Sequence, residues 1–139
     1  MMKLNRNWSV IPTALGLVLA AAVSTHGQGV VSTPLQSPVQ TGGQSSGPKS
    51  TSCGYIANRP NHVLQVTQPF TSLRFQLKST GSPTLFIQGP GNRNQCILAD
   101  NLSGGNIEVP GMWEQGTYSI FIGDRNGNAH GYNLTITQE

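Results

Sequence analysis

Three stretches of this chain place apolar residues at every second position, and that spacing decides what the chain can fold into. In Gly116–Asp124, Tyr118, Ile120 and Ile122 share one face, while Ser119 and Phe121 share the other. Leu73, Phe75 and Leu77 alternate with Arg74, Gln76 and Lys78, and Tyr132, Leu134 and Ile136 alternate with Asn133, Thr135 and Thr137. A repeat of two belongs to β-strands, whose side chains point to opposite faces in turn. Each stretch therefore has one apolar face that another sheet must cover, and the three predict strands that cover one another.

Turn chemistry separates these strands from shorter ones. Strands are expected at His62–Thr67, Thr84–Gln88, Gln95–Ala99 and Ile107–Val109. The turns between them are Asn58-Arg59-Pro60-Asn61, Ser79-Thr80-Gly81-Ser82, Gly89-Pro90-Gly91-Asn92 and Ser103-Gly104-Gly105-Asn106. In the third, Pro and Gly suit the two central positions of a type II turn. Pro110-Gly111 is expected to end the Ile107 strand, and Asn126-Gly127 is a hairpin signal. Seven or eight short antiparallel strands with no helical pattern predict an all-β fold, a small β-sandwich over residues 53–139. The low charged fraction, 9%, and the 17 glycines and 9 prolines agree with a turn-rich β module.

The first half of the chain reads differently. Residues 1–24 have the form of a secretory signal peptide. Lys3 and Arg6 begin it, an apolar run from Trp8 to Val23 follows, and Ala20-Ala21-Ala22 or Ala22-Val23-Ser24 offers the cleavage pattern. The apolar run is shorter than the ~20 residues a membrane span needs. Residues 25–52 consist mostly of Gly, Ser, Thr, Gln and Pro, without an acid or an aromatic. Such a stretch carries too little apolar surface to offset its ordering entropy, and a disordered linker is expected there.

Export implies an oxidising compartment, secreted or periplasmic, where an even number of cysteines reads as a disulfide. Cys53 and Cys96 are the two cysteines of the chain, with no C-x-x-C spacing and no nearby histidine to suggest a redox or metal pair. Closing that loop stabilises by roughly 4 kcal/mol in the chain-entropy model, a large share for a domain this small.

The net charge of +3 falls close to balance once Lys3 and Arg6 are set aside. The bases that remain, Lys49, Arg59, Arg74, Lys78, Arg93 and Arg125, are scattered, which excludes a nucleic-acid surface. Catalysis has little support. Gly43-Gln44-Ser45-Ser46-Gly47 matches G-x-S-x-G in letters but lacks the strand before and helix after that hold a nucleophile elbow. His26, His62 and His130 lie in the linker or at turns and are expected as surface residues. Asp124, Asn126 and Asn128 place oxygen ligands at alternate positions, as calcium favours, and Asp100 is the further candidate ligand. The competing reading of the same loop is plain hairpin chemistry. Trp113 and Phe121 are the candidate binding aromatics if exposed, able to stack on a sugar or grip a peptide; the competing readings are a second buried face, or Trp113 capping the core edge beside Pro110-Gly111.

The blocks Cys53-Gly54-Tyr55, His62-Val63-Leu64, Thr84-Leu85-Phe86-Ile87-Gln88-Gly89-Pro90-Gly91 and Gly116-Thr117-Tyr118-Ser119-Ile120-Phe121-Ile122-Gly123 follow one another in order, closing with Tyr132-Asn133-Leu134-Thr135-Ile136. Residues 53–139 thereby resemble the bacterial pre-peptidase C-terminal (PPC) type of extracytoplasmic domain. The resemblance implies a jelly-roll-like β-sandwich with no enzymatic activity of its own. It also implies roles in export, attachment or calcium-supported stability. Where such domains often carry two or three aspartates after the second cysteine, this chain has Asp100 alone. A bacterial source would make the glycosylation patterns at Asn101 and Asn133 incidental.

The sequence therefore predicts an exported, non-enzymatic accessory or binding module with one disulfide and no cofactor unless calcium. Its partner would be a protein, a polysaccharide or the envelope. The alternatives are a calcium-stabilised structural envelope module and a protease-associated factor.

Overall fold

The computed structural model describes residues 29–100, 102 and 104–139. The expected signal segment, residues 1–24, lies outside the described residues, as do residues 25–28. In chain order the strands are β1 (Gly29–Ser32), β2 (Val39–Gln44), β3 (Lys49–Thr51), β4 (Gly54–Ile56), β5 (His62–Val66) and β6 (Thr71–Ser79). There follow β7 (Pro83–Gln88), β8 (Asn94–Leu98), β9 (Asn106–Trp113), β10 (Gly116–Asp124) and β11 (Gly131–Gln138). They form a two-sheet sandwich, and among the described residues no helix is long and apolar enough to cross a membrane.

The four-stranded sheet runs β2, β11, β6, β9. In the seven-stranded sheet β10 is central. On one side it pairs antiparallel with β5 and then, at Asp124, with β4; on the other it pairs with β7, which carries β8 at the edge. The apolar faces read from the sequence meet between the sheets. Tyr118, Ile120 and Ile122 pack in one cluster with Leu73, Phe75, Leu77, Tyr132, Leu134 and Ile136. Each side chain of this kind, fully removed from water, contributes about 1.5–3 kcal/mol.

Cys53 and Cys96 form the disulfide, with their Cα atoms 5.7 Å apart. It ties the turn between β3 and β4 to edge strand β8. Thr84, buried beside it, donates its hydroxyl hydrogen to the Cys53 carbonyl at 2.7 Å.

The disordered linker expected over residues 25–52 is corrected by the structure for its described part. Residues 29–51 supply β1, β2 and β3. β2 pairs over six residues with β11 at one edge of the smaller sheet, and β1 lies parallel to β5 at the edge of the larger one. An edge strand is held chiefly by backbone hydrogen bonds, which polar composition does not reveal. The glycines taken as linker residues permit a close approach: a Cβ on Gly42 would stand 2.8 Å from the Tyr132 carbonyl oxygen. Val31 and Leu35 add apolar contact against the core.

Two smaller differences have local causes. β9 continues through Pro110 to Trp113 where the proline was expected to end it. It is an edge strand paired with β6 alone, so the missing N–H costs no ladder bond. The expected type II turn is closed as a 3-10 turn over Pro90–Asn92, with Gly91 at φ 68° where the turn required a positive value.

Candidate functional site

The alternation of the strands sorts the loops into two groups at opposite ends of the sandwich. β6 runs from Thr71 to Ser79, and its registers with β9 and β11 put Trp113 and Gln138 near Thr71 and put Asn106 and Tyr132 near Lys78 and Ser79. The connections after β5, β7 and β9 therefore gather at one end, and those after β6, β8 and β10 at the other.

At the first end these three connections enclose a groove of about 400 Å³. Pro69 and Phe70 come from the β5–β6 turn, Pro90, Gly91 and Arg93 from the β7–β8 turn, and Glu114 and Gln115 from the β9–β10 turn. Phe70 is 70% exposed and sits at φ 58°. A bulky side chain in the left-handed region is an outlier, at about 1–2 kcal/mol per residue. The surrounding loop holds it there. Thr67 donates its N–H to Thr33 Oγ1 at 3.0 Å and its hydroxyl to the Thr33 carbonyl at 2.7 Å, and Thr71 donates its hydroxyl to the Gln68 carbonyl at 2.9 Å.

The other walls are equally fixed. Pro90 rests on Gly116, where a Cβ would come within 2.7 Å of the proline ring and where φ is 148°. Tyr118 reaches from the core to donate its hydroxyl to the Glu114 carbonyl at 2.7 Å. Burial pushes the Tyr118 phenol up, partly offset by the Arg93 cation. Arg93 and Glu114 form an ion pair across the groove rim. The result is an aromatic plate with proline flanks, a charge-balanced polar rim and little freedom to move.

Neither sequence-named aromatic is exposed. Trp113, one residue before Glu114, turns inward and is 4% exposed. Its ring centroid lies 4.9 Å from that of Phe75 and 5.2 Å from that of Tyr118. Phe121 is 7% exposed on the outer face of β10, opposite Phe86 with centroids 5.8 Å apart. Phe121 sits on a central strand with its cross-strand partner in register, on a second buried face, whereas Trp113 packs within the core cluster. The most exposed aromatic among the described residues is Phe70, at 70% against 38% for Tyr55 at the other end, and the sequence reading missed it. The signal was present: if Leu73, Phe75 and Leu77 point inward, period two puts Thr71 inward and Phe70 outward, directly after Pro69.

At the far end a braced loop stands beside an open cleft of about 420 Å³ whose lining includes Tyr55, Leu98 and Arg125. Asp124 is 1% exposed, and both its oxygens accept hydrogen bonds from backbone N–H groups. Oδ1 takes Asn126 at 2.8 Å and Asn128 at 3.4 Å, and Oδ2 takes Ser82 at 3.2 Å. Gly127 N–H closes the turn on the Asp124 carbonyl at 3.3 Å. Asp100 accepts the Leu102 N–H at 2.9 Å and lines a separate small cleft with the cation of Arg125. These residues do not fit a calcium site. The Asp124 oxygens face amide hydrogens that a cation would have to displace, and the cleft at Asp100 already contains a positive side chain. Among the described residues no group of three or more His, Cys, Asp or Glu side chains is placed to hold a metal.

The histidines are placed unlike the surface residues expected. His62 opens β5 and is 1% exposed, its Nε2 2.7 Å from the Tyr132 hydroxyl and its Nδ1 without a partner. Burial pulls its pKa down to about 4 and pushes that of Tyr132 up to about 12. His130 is partly buried, with Nδ1 3.0 Å from Thr80 Oγ1 and Nε2 3.7 Å from Asp124 Oδ2. Its ring fills the space beside Gly81, in an arrangement that packs the loop. Ser45 of the G-x-S-x-G letters is buried and accepts the His130 backbone N–H on Oγ at 3.0 Å, so its hydroxyl is a strand anchor. His26 lies outside the described residues.

No family model matches the chain. Among solved structures it is similar to the pre-peptidase C-terminal domain of collagenase from Bacillus anthracis, with 12% identity and a TM-score of 0.49, covering 82% of this chain and all of that one. It is also similar to Aeromonas hydrophila PliG, a periplasmic inhibitor of g-type lysozyme, with 14% identity and a TM-score of 0.44 over 81% of this chain and 98% of that one. In sequence the chain is 33% identical over 135 residues to an uncharacterized protein of Synechococcus elongatus, across 94% of this chain and 95% of the relative. With that identity along nearly the whole of both chains, the protein belongs to the same family as the Synechococcus elongatus protein.

Proposed function

We propose that this protein is an exported, non-enzymatic binding module whose ligand face is the three-loop groove around Phe70. The observation that carries this reading is Phe70 itself, a large aromatic held exposed in a strained backbone conformation by hydrogen bonds around it. Strain and exposed apolar area both cost stability, and such features collect where binding needs a preorganised surface. Loops at one end of a sandwich are a usual place for it.

The disulfide supports an extracytoplasmic location, together with the signal-like first 24 residues. The non-enzymatic reading is supported by the roles of the candidate groups. The Ser45 hydroxyl is buried as an acceptor, and the Asp124 carboxylate serves backbone amides. The test is retention on isolated cell-envelope material. Wild-type protein should co-sediment with it and Phe70→Ala should not, although both are folded. Equal retention of the two would remove the groove from the function.

A further inference from the structure

We infer that the groove takes a neutral pyranose ring of a glycan, stacked on Phe70; this rests on the reading of the groove as the ligand face. A sugar ring presents a flat array of C–H groups edged by hydroxyls, each both donor and acceptor. The groove matches both parts. Phe70 is 70% exposed, and Pro69 and Pro90 line the groove beside it with apolar surface. Around it stand three planar polar side chains: the Arg93 guanidinium donates, the Glu114 carboxylate accepts, and the Gln115 amide does both. Planar groups of this kind bind vicinal hydroxyls in pairs.

Charge narrows the choice. Arg93 and Glu114 are paired with each other, so the groove has no unbalanced charge to attract an anion or a cation. A charged ligand would have to break that pair, whereas hydroxyls can add to it. A proline-rich peptide is the competing occupant, and it docks between several aromatics that form successive slots. Here one aromatic plate is available, which serves one ring. The volume of about 400 Å³ is at the small end of ordinary ligand sites. Trp113 lies one residue from Glu114 and against Tyr118, so its indole N–H reports on the groove without being part of it.

The experiment titrates the full chain, by calorimetry and by amide and indole NMR, with short neutral hexose and N-acetylhexosamine oligomers and, in parallel, with a synthetic proline-rich peptide. The expected result is saturable shifts at Phe70, Arg93, Gln115 and the Trp113 indole with a saccharide. Phe70→Ala should weaken binding by about tenfold, the scale of one aromatic contact; Phe70→Tyr, which keeps the plate, should restore it. Shifts of the same residues by the peptide and by no saccharide would overturn the sugar inference and leave the groove as a binding face. No shift with either probe would overturn both. Saccharide shifts that persist unchanged in Phe70→Ala would place the sugar elsewhere and also overturn the inference.

Discussion

The two ends of the sandwich are built on opposite principles. At the groove end, three loops expose an aromatic side chain, hold it in a costly conformation, and leave space in front of it. At the Asp124 end, a buried carboxylate collects the N–H groups of its own loop and of the β6–β7 turn, the His130 ring packs beside Gly81, and the disulfide lies nearby. Satisfied buried polar groups rigidify and stabilise. An exposed, strained aromatic does neither. On the proposed reading, stability and recognition are separated along the strands, with the core between them. The difference between the ends also explains why the polar loop that looked most functional in sequence is a structural fastening.

Substitutions should divide along the same line. The largest effect on folding is expected from the disulfide: Cys53→Ser with Cys96→Ser should lower stability by about 4 kcal/mol in denaturant unfolding, with saccharide binding kept in the fraction that folds. Asp124→Ala leaves three backbone N–H donors facing no acceptor, and should cost about 3 kcal/mol. The wild-type Tm should be the same with and without added calcium; a wild-type Tm that rises with calcium while that of the variant does not would return the loop to metal binding.

Acid should loosen the braced end next. His62 is held neutral in the folded protein with a pKa of about 4, while the unfolded chain takes up the proton near 6.5. Between those values the unfolded state binds more protons, so stability is undiminished above pH 6.5 and falls as pH drops towards 4. The loss approaches ~3 kcal/mol at the lower limit. Unfolding curves across that range should show the slope in wild type, and His62→Gln should flatten it. A slope unchanged by the substitution would assign the acid sensitivity to other groups.

The smallest effect belongs to the groove end. Phe70→Gly relieves the left-handed strain and removes no buried contact, so it should change stability by no more than about 1 kcal/mol, in the stabilising direction after the entropy of the added glycine. A loss of more than that would mean Phe70 supports the fold, and the contrast between the two ends would fail.

Particular residues show how far the sequence could be read. The faces of β6, β10 and β11 were legible because a half-buried strand repeats every two residues whatever covers it. The Cys53–Cys96 bridge was legible because two cysteines in one chain have a single intrachain pairing. Residues 29–51 were not, since their stability comes from the open edges of sheets made by other strands. His62 looked like a turn residue, and its burial depends on Tyr132 reaching it from the opposite sheet. The candidate site was the least legible. Trp113 and Phe121 were named for their ring type, but which aromatic is exposed depends on the phase of a strand and on its neighbours.

The sequence by itself determined the strands from β5 onward, the inward faces of β6, β10 and β11 and the single disulfide, because these follow from local periodicity, backbone preference and count. Only the tertiary structure decided that β1 and β2 close the sheet edges, that Asp124 is consumed by its own loop, and that Phe70, Arg93, Glu114 and Gln115 share one groove. Those outcomes depend on which distant segments the strand registers bring together, and register is a property of the packed sheets, not of any one stretch of chain.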